Sequence, residues 1–179
     1  ELMLHEGSRL GVRIEREPVV LFDSQPISST RIRDNIERGA VDRAAAMLGR
    51  EYAIRGLVVR GKGRGAGLGF STANLSTDNE LIPAEGVYVT RPEVAGKIRH
   101  AVTNIGDRPT FGERERVIEA HLLDYEGPEL YGMTMRLAFC AFLREERRFD
   151  SASALTAQIG RDVAKAQAWF HSHPDPKER

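Results

Sequence analysis

Hydrophobic and polar positions follow two different periods along this chain, and the period changes near Arg50. Before that point apolar residues recur at the spacing of one helical face. This pattern predicts a helix that opens at residues 27–33 with Ser29 as its N-cap. A second helix is predicted over Val41–Leu48, ending at Gly49. Two short strands are expected before these helices, at 10–14 and 18–22.

After Arg50 apolar and polar residues alternate, which is typical of half-buried strands. About six candidate strands are separated by turn residues, including those at 83–86 and 106–109. The strands are predicted at 52–59, 70–75, 87–90, 98–105, 117–124 and 133–143. In the last strand one apolar face is expected to contain Met133, Met135, Leu137, Phe139 and Leu143. Consecutive strands without intervening helices favour a mainly β fold, an antiparallel barrel or sandwich.

A final amphipathic helix is predicted after a cap at Asp150 or Ser151. Its apolar stripe contains Leu155, Ile159, Val163, Ala166 and Phe170. The simplest role for that stripe is packing against the β-structure.

Composition narrows the class of protein. The 179 residues suit one ordinary domain, or one domain plus a fragment. Zero formal net charge argues against a nucleic-acid or membrane partner, and no run reaches transmembrane length. The single cysteine, Cys140, excludes an internal disulfide and fits a reducing, cytoplasmic location. The first residues lack both an initiator Met and a signal-peptide pattern, so we expect the chain to be part of a longer protein.

Glycine occupies every second position from Gly61 to Gly69. Such a loop can direct backbone N–H groups at phosphate oxygens, and Lys62 and Arg64 add positive charge. Neither the P-loop pattern nor the dinucleotide-binding pattern matches it, so a flexible turn is the alternative interpretation. Thr72 and Asn74 follow on one side of an extended chain and offer the hard oxygen ligands that Mg²⁺ accepts.

A carboxylate lies within the fifth predicted strand. Glu119 and His121 share one face, opposite an apolar face. Glu119 is either a solvated strand residue or a general base at the mouth of a barrel. The strand pattern leaves both alternatives open.

Five ordered motifs resemble the riboflavin kinase family, most closely the C-terminal module of bacterial bifunctional riboflavin kinase/FAD synthetases. They are Gly61-x-Gly63-Arg64-Gly65…Leu68-Gly69-Phe70-x-Thr72-Ala73-Asn74, Asn104-Ile105-Gly106-x-Arg108-Pro109-Thr110-Phe111, Glu119-Ala120-His121-x-Leu123-Asp124, Leu130-Tyr131-Gly132 and Phe149-Asp150-Ser151. The resemblance divides the chain into a riboflavin kinase domain at 50–179 and, at 1–49, an α/β remnant of the FMN adenylyltransferase domain.

The resemblance implies a small Greek-key barrel that transfers the ATP γ-phosphoryl group to the 5′-hydroxyl of riboflavin, giving FMN and ADP. Glu119 would accept the hydroxyl proton, and Thr72 and Asn74 would hold Mg²⁺ and phosphate. The other implied ligand-binding residues are Gly61, Gly63, Arg64 and Gly65 in the glycine loop, with Asn104, Arg144, Phe149 and Asp150 beyond it. FAD synthetase activity is expected to be absent, since the nucleotide-binding part of that module would precede residue 1.

One departure and one rival interpretation accompany the resemblance. Ser71 stands where the family usually has proline, which predicts a looser loop and weaker ATP binding. The rival is a non-catalytic flavin- or nucleotide-binding barrel, which would not require Glu119 or the Thr72 and Asn74 pair.

Overall fold

The structure is a computed structural model, and it describes residues 2–15, 17–61, 72–109 and 114–175. Helices in this part of the chain are α1 Leu2–Arg9, α2 Ser29–Glu37, α3 Val41–Leu48 and α4 Ala152–Ser172. The strands are β1 Leu21–Phe22, β2 Gln25–Pro26, β3 Tyr52–Val59, β4 Thr72–Ser76, β5 Gly86–Val94, β6 Lys97–Ile98, β7 Ala101–Pro109, β8 Arg114–Leu122 and β9 Thr134–Arg144.

Six of the strands close into an antiparallel barrel, because β5 pairs with both β7 and β9. The order around the barrel is β3, β4, β8, β7, β5, β9 and back to β3, with β6 as a short addition to β5. The connections from β4 to β5 and from β8 to β9 join strands that are not neighbours, as in Greek-key barrels. The predicted mainly β barrel with a C-terminal helix is confirmed.

Two apolar clusters lie on opposite sides of the barrel wall. The inner cluster fills the barrel and includes Ile54, Val58, Leu75, Tyr88, Ile118, Leu122, Leu137 and Phe139. The outer cluster lies between the wall and α4 and contains Val87, Val89, Val102, Leu123, Cys140, Ala166 and Phe170. The predicted stripe of α4 is confirmed, since all five of its residues are buried or half-buried.

Cys140 is buried in the outer cluster. Burial raises the pKa of its thiol, and the nearby negative charge of Glu51 raises it further. Cys140 therefore packs as a small apolar side chain and is not a poised nucleophile.

Two irregularities in the pairing of β5 with β9 change which way the end of β9 faces. Thr90 lies opposite Phe139, whereas Val89 lies opposite Ala141 and Val87 lies opposite Arg144. Each extra residue in β9 interrupts the alternation of faces. Arg144 consequently lies on the same side of the wall as Val87.

The prediction of one apolar face from Met133 to Leu143 is therefore wrong. Leu137 and Phe139 lie inside the barrel, whereas Leu143 packs against the outer cluster. Met133 precedes the strand and is 40% exposed. A sequence pattern cannot reveal where a bulge resets the period, since a bulge inserts a residue without a diagnostic composition.

Several strand boundaries also differ from prediction: the strand predicted at 98–105 is divided into β6 and β7, and the one predicted at 117–124 is Arg114–Leu122. β5 continues through Arg91 to Val94, because the Arg91 charge is paired with Glu51 and Asp175 and can be buried within the strand. Residues 106–109 extend β7 and are not a turn, since they pair with β8 down to Arg114.

The N-terminal part departs most from prediction. Residues 10–14 are not a strand; the chain leaves α1 through a turn, and Ile14 packs back on Gly7. Of residues 18–22 only Leu21–Phe22 is β-structure, in a hairpin with Gln25–Pro26. Local alternation predicts a strand only where a partner strand exists, and no described residue pairs with 10–14.

The two helices after the hairpin lie as the sequence predicts, with one change of cap. Ser28, not Ser29, caps α2: its backbone is extended and its hydroxyl accepts the Arg31 N–H at 3.3 Å. The Arg31 guanidinium donates to the backbone carbonyls of Phe22, Gln25 and Pro26, so it ties α2 to the hairpin. The bounds of α3 are as predicted, and Gly49 ends it in the left-handed conformation at φ 69°.

Candidate active site

Polar side chains occupy the outer face of the barrel wall where β4, β8 and β7 lie side by side. Asn74 of β4 lies directly opposite Glu119 of β8, and Glu119 lies opposite Asn104 of β7. Because neighbouring residues in one row share a face, the Glu119 carboxylate is flanked by two amides. One step along the strands, Thr72 lies opposite His121 on that same face.

The floor of a cavity of about 410 Å³ is formed by Thr72, Asn104, Glu119 and His121. Helix α4 and the segment at 145–151 form its other walls, so it lies on the outer side of the barrel wall and not at the mouth that the sequence suggested. Its lining residues are Thr72, Val87, Val102, Asn104, Glu119, His121, Arg144, Glu146, Arg147, Phe149, Leu155, Ile159 and Asp162. Four aliphatic side chains and one aromatic ring give this cavity apolar walls around a polar floor.

A second cavity of about 180 Å³ adjoins the first, and Thr72 lines both. The glycine loop begins at its edge, at Gly61. Its lining residues are Val58, Gly61, Thr72, Ala73, Asn74, Leu122, Tyr125, Gly127, Pro128, Glu129, Leu130 and Tyr131. A ligand in each cavity would meet the other ligand at Thr72, close to the row that carries Glu119.

Gly61 is required by the close approach of Asn74. A Cβ on residue 61 would lie 2.1 Å from the Asn74 amide nitrogen, which is closer than any stable contact. Asn74 is itself only 9% exposed. The first glycine of the loop thus leaves room for the amide that lies beside Glu119.

The floor ends at an ion pair between β9 and α4. Arg144 donates to Asp162 with Nε at 3.0 and 3.2 Å and with Nη2 at 2.8 Å. Asp162 is 2% exposed and also accepts the Gln158 side-chain N–H at 2.7 Å. The Phe149 ring lies 5.9 Å from the Arg144 guanidinium, within cation–π range.

An acidic rim borders the cavity beyond Asn104. The Asn104 amide donates to Glu146 at 3.4 Å, and a Cβ on Gly106 would meet that carboxylate at 2.4 Å. Farther out, a hydrogen bond to Asp107 raises the pKa of the Glu85 carboxyl, and the charges of Asp107 and Glu146 act in the same direction. Gly106 therefore makes room for Glu146 within a strand, which explains a glycine that the sequence suggested was part of a turn.

The structure brings together most of the residues predicted for the site. Glu119, Thr72, Asn104, Arg144 and Phe149 line the larger cavity, whereas Gly61, Thr72 and Asn74 line the smaller one. Asp150 lines neither cavity and is exposed. Gly63, Arg64, Gly65 and Ser71 lie outside the described residues.

Several residues in the cavity wall, and Gln158 behind it, were not predicted from the sequence. Glu146 and Arg147 lie in a charged segment without periodicity, which gave no signal. Gln158 and Asp162 are 3% and 2% exposed, although polar residues are seldom buried without partners. Their signal was their spacing at i and i+4, beside Leu155 and Ile159 on the apolar stripe.

Among the described residues no group of three or more His, Cys, Asp or Glu side chains could hold a metal ion. A divalent cation here would rely on other oxygen donors. The Thr72 hydroxyl and the Asn74 amide are such donors: both line the smaller cavity, and Thr72 also lines the larger.

Comparison with known proteins identifies the family. The model of the family described as "Flavokinase: Riboflavin kinase" matches residues 48–170. The chain belongs to the riboflavin kinase family. That match spans the whole barrel, both cavities and nearly all of α4.

Among curated relatives, bifunctional riboflavin kinase/FMN adenylyltransferases resemble the chain over most of its length. The Haemophilus influenzae protein is 36% identical over 172 residues, covering 95% of this chain and 56% of that protein. The Bacillus subtilis protein is 38% identical over 148 residues, covering 80% and 46%. The chain thus spans about half the length of the curated relatives it matches.

A solved structure shares the fold. A crystal structure from Streptococcus pneumoniae, described as a macrolide-efflux protein, matches with a TM-score of 0.81 at 34% identity. The match covers 86% of this chain and 50% of that one. Within the described part of this chain, no helix has the length and apolarity needed to cross a bilayer.

Proposed function

We propose that this chain is an ATP-dependent riboflavin kinase, which transfers the γ-phosphoryl group of ATP to the riboflavin 5′-hydroxyl. The observation that carries the proposal is the position of Glu119. Its carboxylate shares a cavity with Thr72, and Thr72 also lines the neighbouring cavity at which the glycine loop begins. Membership of the riboflavin kinase family supports the choice of substrates.

The larger cavity suits the flavin. Its volume of about 410 Å³ lies in the range of small-molecule sites, and its aliphatic and aromatic walls suit a flat heteroaromatic ring. We place the isoalloxazine ring toward Arg144 and Phe149, with the ribityl chain extending along the wall toward Glu119. ATP would then approach from the Gly61 side, with its γ-phosphate near Thr72.

In the reaction the ribityl oxygen attacks the γ-phosphorus, and the bond from that phosphorus to the bridging oxygen of ADP breaks. The hydroxyl proton moves to the Glu119 carboxylate as the new P–O bond forms. Phosphoryl transfer depends mainly on alignment and on stabilising charge. Asn74 and Asn104 flank Glu119 in the same row, and the pairing of β8 with β4 and β7 would hold that carboxylate in register with the incoming hydroxyl.

We further propose that the Thr72 hydroxyl and the Asn74 amide hold Mg²⁺ together with phosphate oxygens. Both are oxygen donors of the kind that Mg²⁺ prefers, and Mg²⁺ usually keeps water and phosphate among its ligands. When bound there, the ion would offset the negative charge of the triphosphate during transfer.

The proposal also covers domain boundaries and cellular location. We assign residues 50–179 to the kinase domain, supported by the family match at 48–170, and residues 1–49 to the end of an adenylyltransferase domain. The assignment of 1–49 is supported by the bifunctional relatives, whose similarity extends over nearly the whole chain.

The partners of this chain would be riboflavin, FMN, ATP and ADP. The single buried cysteine supports a reducing, cytoplasmic setting.

The direct test is to incubate the purified chain with riboflavin, ATP and Mg²⁺ and to separate the flavins by chromatography. We expect FMN and ADP in equal amounts, and no FMN when ATP is omitted or Mg²⁺ is chelated. Riboflavin binding without FMN formation would instead support the non-catalytic flavin-binding barrel. FAD in the same chromatogram would contradict the expectation that this chain lacks FAD synthetase activity.

A further inference from the structure

Helix α4 buries two polar side chains within an otherwise apolar stripe, and one of them, Asp162, lines the larger cavity. Gln158 and Asp162 are 3% and 2% exposed and are one helical turn apart. A carboxylate with so little access to water is costly unless its charge is paired and its oxygens are hydrogen-bonded. Asp162 meets that requirement through its hydrogen bonds with Arg144 and Gln158. Its function can therefore be inferred from what it does to these two side chains.

Asp162 binds the Arg144 guanidinium along one edge. Nε and Nη2 of Arg144 both donate to it, and the Gln158 amide donates to the remaining lone pairs at 2.7 Å. Moving Arg144 away would leave the buried Asp162 charge unpaired, which is strongly unfavourable. The guanidinium is therefore a fixed part of the cavity wall.

Two further contacts set the plane of that guanidinium. Nη1 donates to the Glu145 carbonyl at 2.9 Å, and the Phe149 ring lies 5.9 Å away. The neighbouring Arg147 is held differently, since it donates to the Gln158 side-chain oxygen, an uncharged acceptor that Arg161 shares. Of the two arginines that line the cavity, only Arg144 is paired with a buried carboxylate among the described residues.

We propose that Asp162 is a positioning residue for flavin binding, acting through Arg144. It fixes the Arg144 guanidinium, and with it the wall that includes Phe149, as a flat surface for a heteroaromatic ring. The inference rests on the proposed function, since it takes riboflavin as the occupant of this cavity. The ion pair is formally neutral and the riboflavin ring is uncharged, so the geometry of the wall and not net charge governs binding.

The test is a double-mutant cycle with Asp162→Asn and Arg144→Lys. Asparagine removes the charge with little change of shape, and lysine keeps the charge but loses the planar fork. We expect each single variant to weaken riboflavin binding roughly tenfold, as for loss of a charge-assisted hydrogen bond. If Asp162 acts through Arg144, the double variant should bind no more weakly than the weaker single variant.

Riboflavin affinity is measured by quenching of flavin fluorescence without ATP, and steady-state kinetics supply the second readout. The KM for riboflavin should rise, whereas kcat and the KM for ATP should change by less than about threefold, since neither depends on the wall. Glu51→Gln is the matched control: it also removes a carboxylate from a buried arginine, Arg91, but outside this cavity. It should lower thermal stability and leave riboflavin affinity unchanged.

Gln158→Met extends the test should Asp162→Asn fail to fold. It removes one donor to Asp162 in a side chain of similar shape and should weaken riboflavin binding in the same direction by a smaller factor. The inference would be overturned by wild-type riboflavin affinity in both Asp162→Asn and Gln158→Met, or by additive losses in the cycle. In either case FMN formation by the wild type would still uphold the proposed function. If the wild-type chain neither bound riboflavin nor formed FMN, both the inference and the proposed function would be wrong.

Discussion

At the scale of single residues, the position of Glu119 follows from strand register more than from its own surroundings in the sequence. Its neighbours across the sheet are Asn74 and Asn104, which are far from it along the chain. The Asn104 amide donates to Glu146 at 3.4 Å. Strand pairing therefore fixes the position of Glu119 between the two amide-bearing residues.

Replacement of Glu119 by Gln should lower kcat by about 10²–10⁴-fold, the usual contribution of a general base. The side chain keeps its shape, so the KM values for riboflavin and ATP should stay within a few-fold of wild type. Steady-state assay of FMN formation measures both. Glu93→Gln is the control, since Glu93 lies 3.9 Å from Arg136 and lines neither cavity. Wild-type kcat in Glu119→Gln would exclude the proposed base.

Gly61 offers a second test at this scale. In Gly61→Ala the new methyl group would overlap the Asn74 amide, which must then shift away from its place beside Glu119. We expect the KM for ATP to rise and kcat to fall, because Asn74 is proposed to hold Mg²⁺ and phosphate on the ATP side of the site. Gly160→Ala is the matched control, since nothing lies within 4 Å of that Cβ. It should leave kinetics unchanged and stabilise α4 by up to about 1 kcal/mol. Unaltered kinetics in Gly61→Ala would contradict the role of Asn74.

At the scale of elements, the sequence predicted those that depend on local pattern. β3, α3 and α4 were predicted because each has a continuous period and ends at a recognisable cap or turn. The strand predicted at 10–14 failed because strand formation needs a partner. The face of Leu143 was wrong because pairing with β5 creates bulges that no local pattern records.

The same division applies to the site. Glu119, Thr72 and Asn74 could be proposed from the sequence because their motifs are ordered along the chain. Asp162 could not, because its burial depends on pairing with Arg144, which only the end of β9 brings to α4. Burial of a charge is decided by the partner, and the partner is a property of the fold.

The end of α4 is held to the barrel by a cluster that gives a pH-dependent prediction. Asp175 accepts hydrogen bonds from Arg91 at 2.7 Å and from His100 at 3.0 Å. Partial burial would raise the pKa of Asp175, but these hydrogen bonds and charges outweigh it and lower the pKa. The folded state therefore binds this proton less readily than the unfolded state does. The resulting stabilisation is complete above the unfolded pKa of about 3.9 and is lost as the pH falls through the folded value.

Asp175→Asn should accordingly lower the melting temperature near neutral pH, and the difference from wild type should shrink as the pH falls below about 4. Thermal unfolding followed by circular dichroism at a series of pH values measures this. The exposed Asp78 provides the control, and Asp78→Asn should parallel wild type throughout. A constant difference between Asp175→Asn and wild type at every pH would show that the effect does not come from titration.

At the scale of the whole molecule, two cavities share one residue of a closed barrel: the larger lies outside the wall, whereas Val58 and Leu122 of the inner cluster line the smaller. Thr72 lines both, so under the proposed function donor and acceptor would be bound by different parts of the fold and would react at a shared boundary. The closed wall supplies a rigid floor, because every strand in it is paired on both sides.

This arrangement predicts that either ligand alone stabilises the fold. Riboflavin at about 100 times its dissociation constant should add about 2.7 kcal/mol to the free energy of unfolding. For a chain of this length that corresponds to a rise in melting temperature of roughly 5–10 °C. Mg²⁺ with ADP should act similarly from the smaller cavity, and the two ligands together should raise the melting temperature more than either does alone. Glu119→Gln should keep these shifts, since it removes a proton acceptor and leaves both cavities open. If neither ligand moved the melting temperature of the wild type, the two cavities would not be the substrate sites.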